Sequence, residues 1–387
     1  MRASGRALAV LIAAVMAACG EGQTVVADWT GTTETDGGAP PCATSIGAIA
    51  TGDHHTCAAT ADGVLSCWGR NVYGQLADGT TTSRTSPSSV AAPSGVVDLA
   101  AGNEHTCALG SDQRAWCWGD GSFGQLGNAS TTGSLVPIAI AASTWSLLAS
   151  YYNTTCGVGT DGVARCWGAN FAGQLGAGDT SDRTSPTIVG PSSSDWTAIS
   201  TGLGHTCGLR GSALYCWGDN AHGQLGLGST TSMLSPAHVS DGWSRVDAGH
   251  SHTCAIDTSG ALCCWGDNAA GQLGTGDGLE HTSRASVSAS GWIDVMTSHL
   301  HSCGIRSDGS IECWGTGVGA AVAEGAIAPT PTHVDVPGRF VRIDSTDDHT
   351  CALRDDGALF CWGDNGQGEL GLGDRNTRLL PVLVCVP

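Results

Sequence analysis

The chain has 387 residues, 58 of them glycine, with 13% charged and 5% aromatic residues and a formal net charge of -19. Every basic residue is an arginine, and no basic footprint exists to displace counterions from phosphates, so a nucleic-acid partner is excluded. Abundant glycine weakens helix interiors and supplies positive φ, which favours short strands joined by tight turns.

The N-terminus opens with a positive stretch containing Arg2 and Arg6, followed by an apolar run from Ala7 to Val15 and the small residues Ala17 and Ala18. This pattern reads as a signal peptide over 1–18, too short to span a membrane. Met16-Ala17-Ala18-Cys19 resembles the lipobox of bacterial lipoproteins, with Met where that family prefers Leu, Val or Ile. The resemblance implies lipidation of Cys19 and, with Gly20 following, an outer-membrane or cell-surface location; secretion after simple cleavage is the alternative. Residues 19–41 then read as the lipidated cysteine and a flexible tether, too polar to pack.

From Cys42 to Pro387 the chain repeats. Cys-Trp-Gly begins at Cys67, Cys117, Cys166, Cys216, Cys264, Cys313 and Cys361, giving seven units of 48 to 50 residues. A period of this size signals a propeller or solenoid. Each unit starts with a strand-like segment such as Trp243-Ser244-Arg245-Val246, continues through a hairpin, and ends with a Gly-Gln-Leu-Gly loop and a proline-led strand. Three or four short strands per unit read as one antiparallel blade, so the expected fold is an all-β, seven-bladed β-propeller over 42–387.

The hairpin geometry pairs the cysteines. In six units the two cysteines stand ten apart about a three-residue turn, and five of those turns carry glycine at the third position, with Gln113 as the exception. In the fourth unit they stand nine apart about the two-residue turn Gly211-Ser212. Opposed cysteines on adjacent strands suit a bridge. The expected disulfides are Cys57–Cys67, Cys107–Cys117, Cys156–Cys166, Cys207–Cys216, Cys254–Cys264, Cys303–Cys313 and Cys351–Cys361. Of the others, Cys42 and Cys385 flank the first and last strands and pair to close the ring, leaving Cys263 as the odd thiol on the opposite strand face.

The stretch Gly202-Leu203-Gly204-His205-Thr206-Cys207, with Cys216-Trp217-Gly218-Asp219-Asn220-Ala221-His222-Gly223-Gln224-Leu225-Gly226, resembles the repeat of the regulator of chromosome condensation family. The resemblance covers about 42–387 and implies a seven-bladed propeller. That family includes a nuclear nucleotide-exchange factor for a small GTPase, a plant ultraviolet receptor and a secreted bacterial inhibitor of β-lactamases, so the fold does not choose the function. Three departures stand out: Ala77 replaces the last glycine of the first Gly-Gln-Leu-Gly, Glu369 replaces the glutamine of the seventh, and the sixth unit reads Gly315-Thr316-Gly317-Val318-Gly319-Ala320. The last nominally fits a dinucleotide fingerprint but lacks its βαβ context.

Candidate chemistry is sparse. His55, His105, His205, His252, His301 and His349 recur in six of the seven units, with Thr154 in the third, as a position that braces its own blade would; His54, His250 and His299 occur in three units only. No catalytic grouping, metal site or cofactor is expected. Tyr73, Phe123 and Phe171 place aromatics in the loop before Gly-Gln in three consecutive units, where His222 stands in the fourth; these four are the candidate binding residues, because aromatics at a rim serve as anchors. The sequence therefore leads to an envelope-anchored, monomeric, disulfide-stapled, non-catalytic scaffold for a protein or glycan. The alternatives are an envelope polysaccharide-acting enzyme and, further off, guanine-nucleotide exchange.

Overall fold

The computed structural model describes residues 16–17, 24–25, 42, 44–90, 95–140, 144–191, 193–288, 290–317, 319, 321–323 and 326–387. The chain divides into two units, 1–41 and 42–387. In the first, Met16–Ala17 pairs antiparallel with Thr24–Val25. The signal sequence, Cys19 and the tether otherwise lie outside the described residues.

The second unit is a seven-bladed β-propeller in which every blade is a four-stranded antiparallel sheet taken from contiguous sequence. The innermost strands are Ile46–Thr51, Val96–Ala101, Trp145–Tyr151, Trp196–Thr201, Trp243–Ala248, Trp292–Thr297 and Phe340–Thr346. Each pairs with its neighbour through a register shift after the first residue, as between Trp243 and Arg245, and such a bulge re-aims the residue that follows it. The second and third strands form the cysteine hairpin, for example His205–Arg210 with Ala213–Gly218. The turn at its tip needs left-handed backbone, which Gly63 supplies at φ 84° and Gly211 at φ 60°; Gln113 adopts the same conformation at φ 68° without being glycine.

The cysteines meet where these hairpins place them, with Cα–Cα separations of 4.0 to 4.1 Å in all seven hairpin bridges. An eighth bridge joins Cys42 to Cys385 across 343 residues, and Cys263 remains free and half-buried.

The core lies in the seams between blades. One seam packs Cys207, Leu209, Cys216 and Leu225 of blade 4 against Trp243, Val246 and Trp265 of blade 5. The closing seam sets Ile46, Ile49 and Trp68 of blade 1 against Leu353, Leu359, Leu370 and Val384 of blade 7. The tryptophan of every Cys-Trp-Gly is fully buried. Its indole Nε1 donates to the preceding blade: Trp217 to the Gln174 carbonyl at 2.9 Å, Trp265 to Gln224 at 2.9 Å and Trp68, across the closure, to Glu369 at 2.8 Å. The same carbonyls accept a threonine hydroxyl, from Thr206, Thr253 and Thr56 respectively.

The recurring histidines join this relay, which corrects their assignment to their own blade. His205 reaches Thr253 of the next blade at 2.9 Å, and the pattern repeats at His55–Thr106, His105–Thr155, His252–Ser302, His301–Thr350 and His349–Thr56. A hydroxyl has one proton, and Thr253 gives it to Gln224, so His205 donates from Nε2. Burial keeps these rings neutral, holding His105 and His205 down to about 4 and His55, His252, His301 and His349 to about 3. The divergent sixth loop keeps the joint: Gly319 O accepts Trp362 Nε1 at 2.9 Å and Thr350 Oγ1 at 3.0 Å.

Candidate functional site

Because the strands alternate in direction, the loops after the first and third strands of each blade emerge on one face. A Cβ built on Gly204, in a first loop, would lie 3.4 Å from the ring of Phe171, in a third-strand loop. Outside the sixth blade, the third-strand loops are folded by their own side chains, as in blade 4. Asn220 Nδ2 donates to the Ser229 and Thr231 carbonyls while its Oδ1 accepts Leu225 N. Gln224 Oε1 accepts His222 N and its Nε2 donates to Asp219. These internal bonds fix the backbone, and the residue at the loop tip is left to face solvent.

The blades differ in the two residues of that tip, Val72-Tyr73, Ser122-Phe123, Phe171-Ala172 and Ala221-His222, so that Phe171 stands one position earlier than Tyr73, Phe123 and His222. Tyr73 is 48% exposed, Phe123 42% and Phe171 60%, so the three aromatics stand on the surface of blades 1 to 3 instead of packing between blades. His222 pairs with Glu280 at 2.7 Å, and that contact holds its imidazole above the usual range. With Asp267 these two form a possible cation cluster on the rim.

Inside the ring, the bulged innermost strands turn charged residues into the central channel, a feature the sequence reading passed over. Arg245 pairs with Asp294 at 2.7 Å, and Arg342 of blade 7 pairs with Asp98 of blade 2 at 2.9 Å. Asp247 accepts Ser200 Oγ, Thr297 N and Thr297 Oγ1, bridging blades 4, 5 and 6. Asp344 accepts Thr51 N at 2.7 Å across the closing seam. Burial pushes Asp294 and Asp344 up to about 6. The signal was present as charges alternating along otherwise apolar strands, Arg245 and Asp247, Asp294, Arg342 and Asp344.

At the loop-face mouth of the channel, Asp53, Asn103, Tyr151, His250, His299 and Asp347 surround a cavity of about 80 Å³. His250 and His299 stack with ring centroids 4.1 Å apart. Asp53 and Asp347 face each other, and burial followed by the facing carboxyl raises Asp347 to about 7. Tyr152 and Asp347 hold left-handed backbone at φ 49° and 38°; for residues other than glycine such conformations are strained and gather at functional sites.

Comparison with known proteins defines the class. A profile of the RCC1-like domain matches residues 15–286, and profiles of the regulator of chromosome condensation (RCC1) repeat match 340–369 and 356–387. The first spans more than half of the chain, and the protein belongs to the RCC1-like domain family. Among solved structures it is similar to Prp20p from Saccharomyces cerevisiae, with a TM-score of 0.75 and 19% identity over 88% of this chain and 86% of that one. Human WBSCR16 gives a TM-score of 0.75 and 20% identity over 84% and 94%. The ectodomain of the Physcomitrella patens receptor kinase CR4 gives 0.52 and 20% over 83% and 74%. These likenesses are of fold. No curated protein matches the chain.

The relatives correct the reading of the chain as a bacterial lipoprotein. They come from yeast, human and moss, with a further one from Arabidopsis thaliana, and this overturns the signal, lipid-anchor and outer-membrane or secreted assignments. Those rested on a short N-terminal segment and on four residues, Met16 to Cys19, whose first departs from the lipobox.

Proposed function

We propose that this disulfide-stapled propeller is a non-catalytic protein-binding module whose partner docks on the loop face over blades 1 to 3. The observation that carries the reading is the exposure of Tyr73, Phe123 and Phe171 at corresponding loop tips of three consecutive blades. Loops this strongly braced present their tips with little entropy left to lose on binding, and aromatic residues supply most hot spots. The relatives lend support. The yeast structure is described with its binding to Gsp1p and histones, and yeast RCC1 was solved bound to Kap60, so proteins of this fold engage other proteins.

The test is quantitative affinity capture from the source cells with wild-type protein, the triple variant Tyr73→Ala/Phe123→Ala/Phe171→Ala, and Val64→Ala. Val64 is exposed at a hairpin turn on the opposite face. A partner captured by wild type and Val64→Ala and lost with the triple variant is expected. Equal capture by all three forms refutes the reading.

A further inference from the structure

The channel mouth is a second site, separate from the aromatic sector. Its groups are mostly acceptors. Asp53 and Asp347 face each other, Asn103 Oδ1 is buried with no hydrogen-bond partner, and Tyr151 Oη has none although Tyr151 is only 7% exposed. His250 Nδ1 is taken by Ser251 Oγ at 2.9 Å, which leaves its Nε2 edge to the mouth. No arginine lines the cavity, and Arg70, whose charge reaches Asp53, is held by Glu104 at 3.1 Å. A buried polar group without a partner is costly. Apart from the Tyr151 hydroxyl proton, the open valences of this concave site are chiefly acceptors, which fits a ligand made of donors, and a guanidinium offers five N–H donors and no acceptor. The volume, about 80 Å³, exceeds several-fold the roughly 10–15 Å³ that one water needs. Tyr152 beside it is 40% exposed and can lay its ring against a cation.

We propose that the channel mouth binds one organic cation, a guanidinium or ammonium group whose N–H donors satisfy Asp53, Asp347, Asn103 Oδ1 and Tyr151 Oη. A divalent metal fits less well. Among the described residues, three potential ligand atoms converge only at His222, Asp267 and Glu280, on the exposed rim, and nothing further there points to an ion. The cation can be a free small molecule or an arginine or lysine side chain of a protein; the second source rests on the protein-binding reading, the first does not.

Binding depends on pH through the groups facing Asp347, namely Asp53, Asp348, His54, His250, His299 and Tyr151. Burial and the facing Asp53 keep Asp347 protonated up to about pH 7, and a cation must displace that proton. Affinity therefore rises about tenfold from pH 6 to pH 8. Burial, and then the neighbouring His299, lowers His250.

The experiment follows the ring resonances of His250 and His299 by NMR in the full chain at constant ionic strength. The probes are methylguanidinium, methylammonium and, as a cation without donors, tetramethylammonium. Saturable one-to-one shifts with the first or second are expected, with Kd on the order of 0.1–1 mM. Tyr151→Phe and Asp347→Asn should each weaken binding at least tenfold, and Asp347→Asn should abolish its pH dependence. An acetylated Gly-Arg-Gly amide that binds more tightly than methylguanidinium assigns the site to a protein side chain, and one that binds no better assigns it to a free small molecule. No saturable shift below about 10 mM, an equal shift with tetramethylammonium, a shift with zinc or calcium alone, or unchanged binding by Tyr151→Phe overturns the proposal. The wild-type titration and Tyr151→Phe decide it even if Asp347→Asn does not fold, and the aromatic-face variants leave it untouched.

Discussion

Trp217 Nε1 donates to the Gln174 carbonyl at 2.9 Å, so a residue of one blade is tied to the loop of the blade before it, 43 positions upstream. Thr206 adds a second bond to the same oxygen at 2.8 Å. The joint recurs around the ring, and each blade is stable largely through its neighbours.

Trp217→Phe keeps most of the ring and removes the donor, while Gln174 O retains Thr206. The loss should be about 1–2 kcal/mol, against about 3–5 kcal/mol for Trp217→Ala, which also opens a cavity. Guanidinium denaturation under non-reducing conditions measures both.

Ala77 holds φ 55° where five other loops carry glycine, namely Gly127, Gly176, Gly226, Gly274 and Gly371 at 67–72°. Left-handed backbone costs a non-glycine residue about 1–2 kcal/mol, and glycine loses about 0.4–1 kcal/mol through the unfolded chain. Ala77→Gly should therefore be neutral to slightly stabilising. Gly226→Ala should destabilise, because its Cβ would lie 2.8 Å from Trp265 Nε1. Thermal melts of the two variants should move in different directions.

The Cys42–Cys385 bridge closes a loop of 343 residues, and each hairpin bridge one of 9 or 10. On the chain-entropy account the ring closure contributes about 5 kcal/mol and a hairpin bridge about 3 kcal/mol. Cys42→Ser/Cys385→Ser should lower the melting temperature more than Cys254→Ser/Cys264→Ser. Equal losses would mean that the closing seam of Ile46, Trp68 and Val384 holds the ring without the bridge.

The buried histidines make the fold sensitive to acid. Their folded pKa lies below the unfolded value of about 6.5, so the unfolded chain binds more protons, and their contribution is lost as pH falls from 6.5 towards 4 and 3. His205→Gln keeps a donor for Thr253 without titrating. Its stability should fall less steeply with acid than wild type, by up to one proton, or about 1.4 kcal/mol per pH unit. The opposite sign holds for Glu369. Burial raises it to about 7, so its contribution is lost as pH rises from about 4.5 to 7.

The blade count was legible in the sequence because Cys-Trp-Gly recurs at nearly constant spacing, and the strands followed from turn residues and alternation. The seams were not. His205 and Thr206 are adjacent in the chain, yet one reaches forward to Thr253 and the other back to Gln174; which seam a side chain enters depends on the twist of the sheet. The channel mouth was hidden for a related reason. Asp53, Asn103, Tyr152, His250, His299 and Asp347 occupy the same loop in six different blades, and they become neighbours only when the ring closes. Tyr73, Phe123 and Phe171 were visible as variation against a repeat, which marks positions that the fold leaves free.

The central claim is that a protein partner docks on the aromatic sector of the loop face. Once a captured partner is purified, its affinity for the triple variant Tyr73→Ala/Phe123→Ala/Phe171→Ala, measured by surface plasmon resonance beside Val64→Ala, tests this most directly. A hot-spot aromatic contributes at least about 2 kcal/mol, so the triple variant should bind more than about tenfold more weakly while Val64→Ala binds as wild type does. Unchanged affinity in the triple variant, or a loss in Val64→Ala, would place the interface elsewhere and contradict the account.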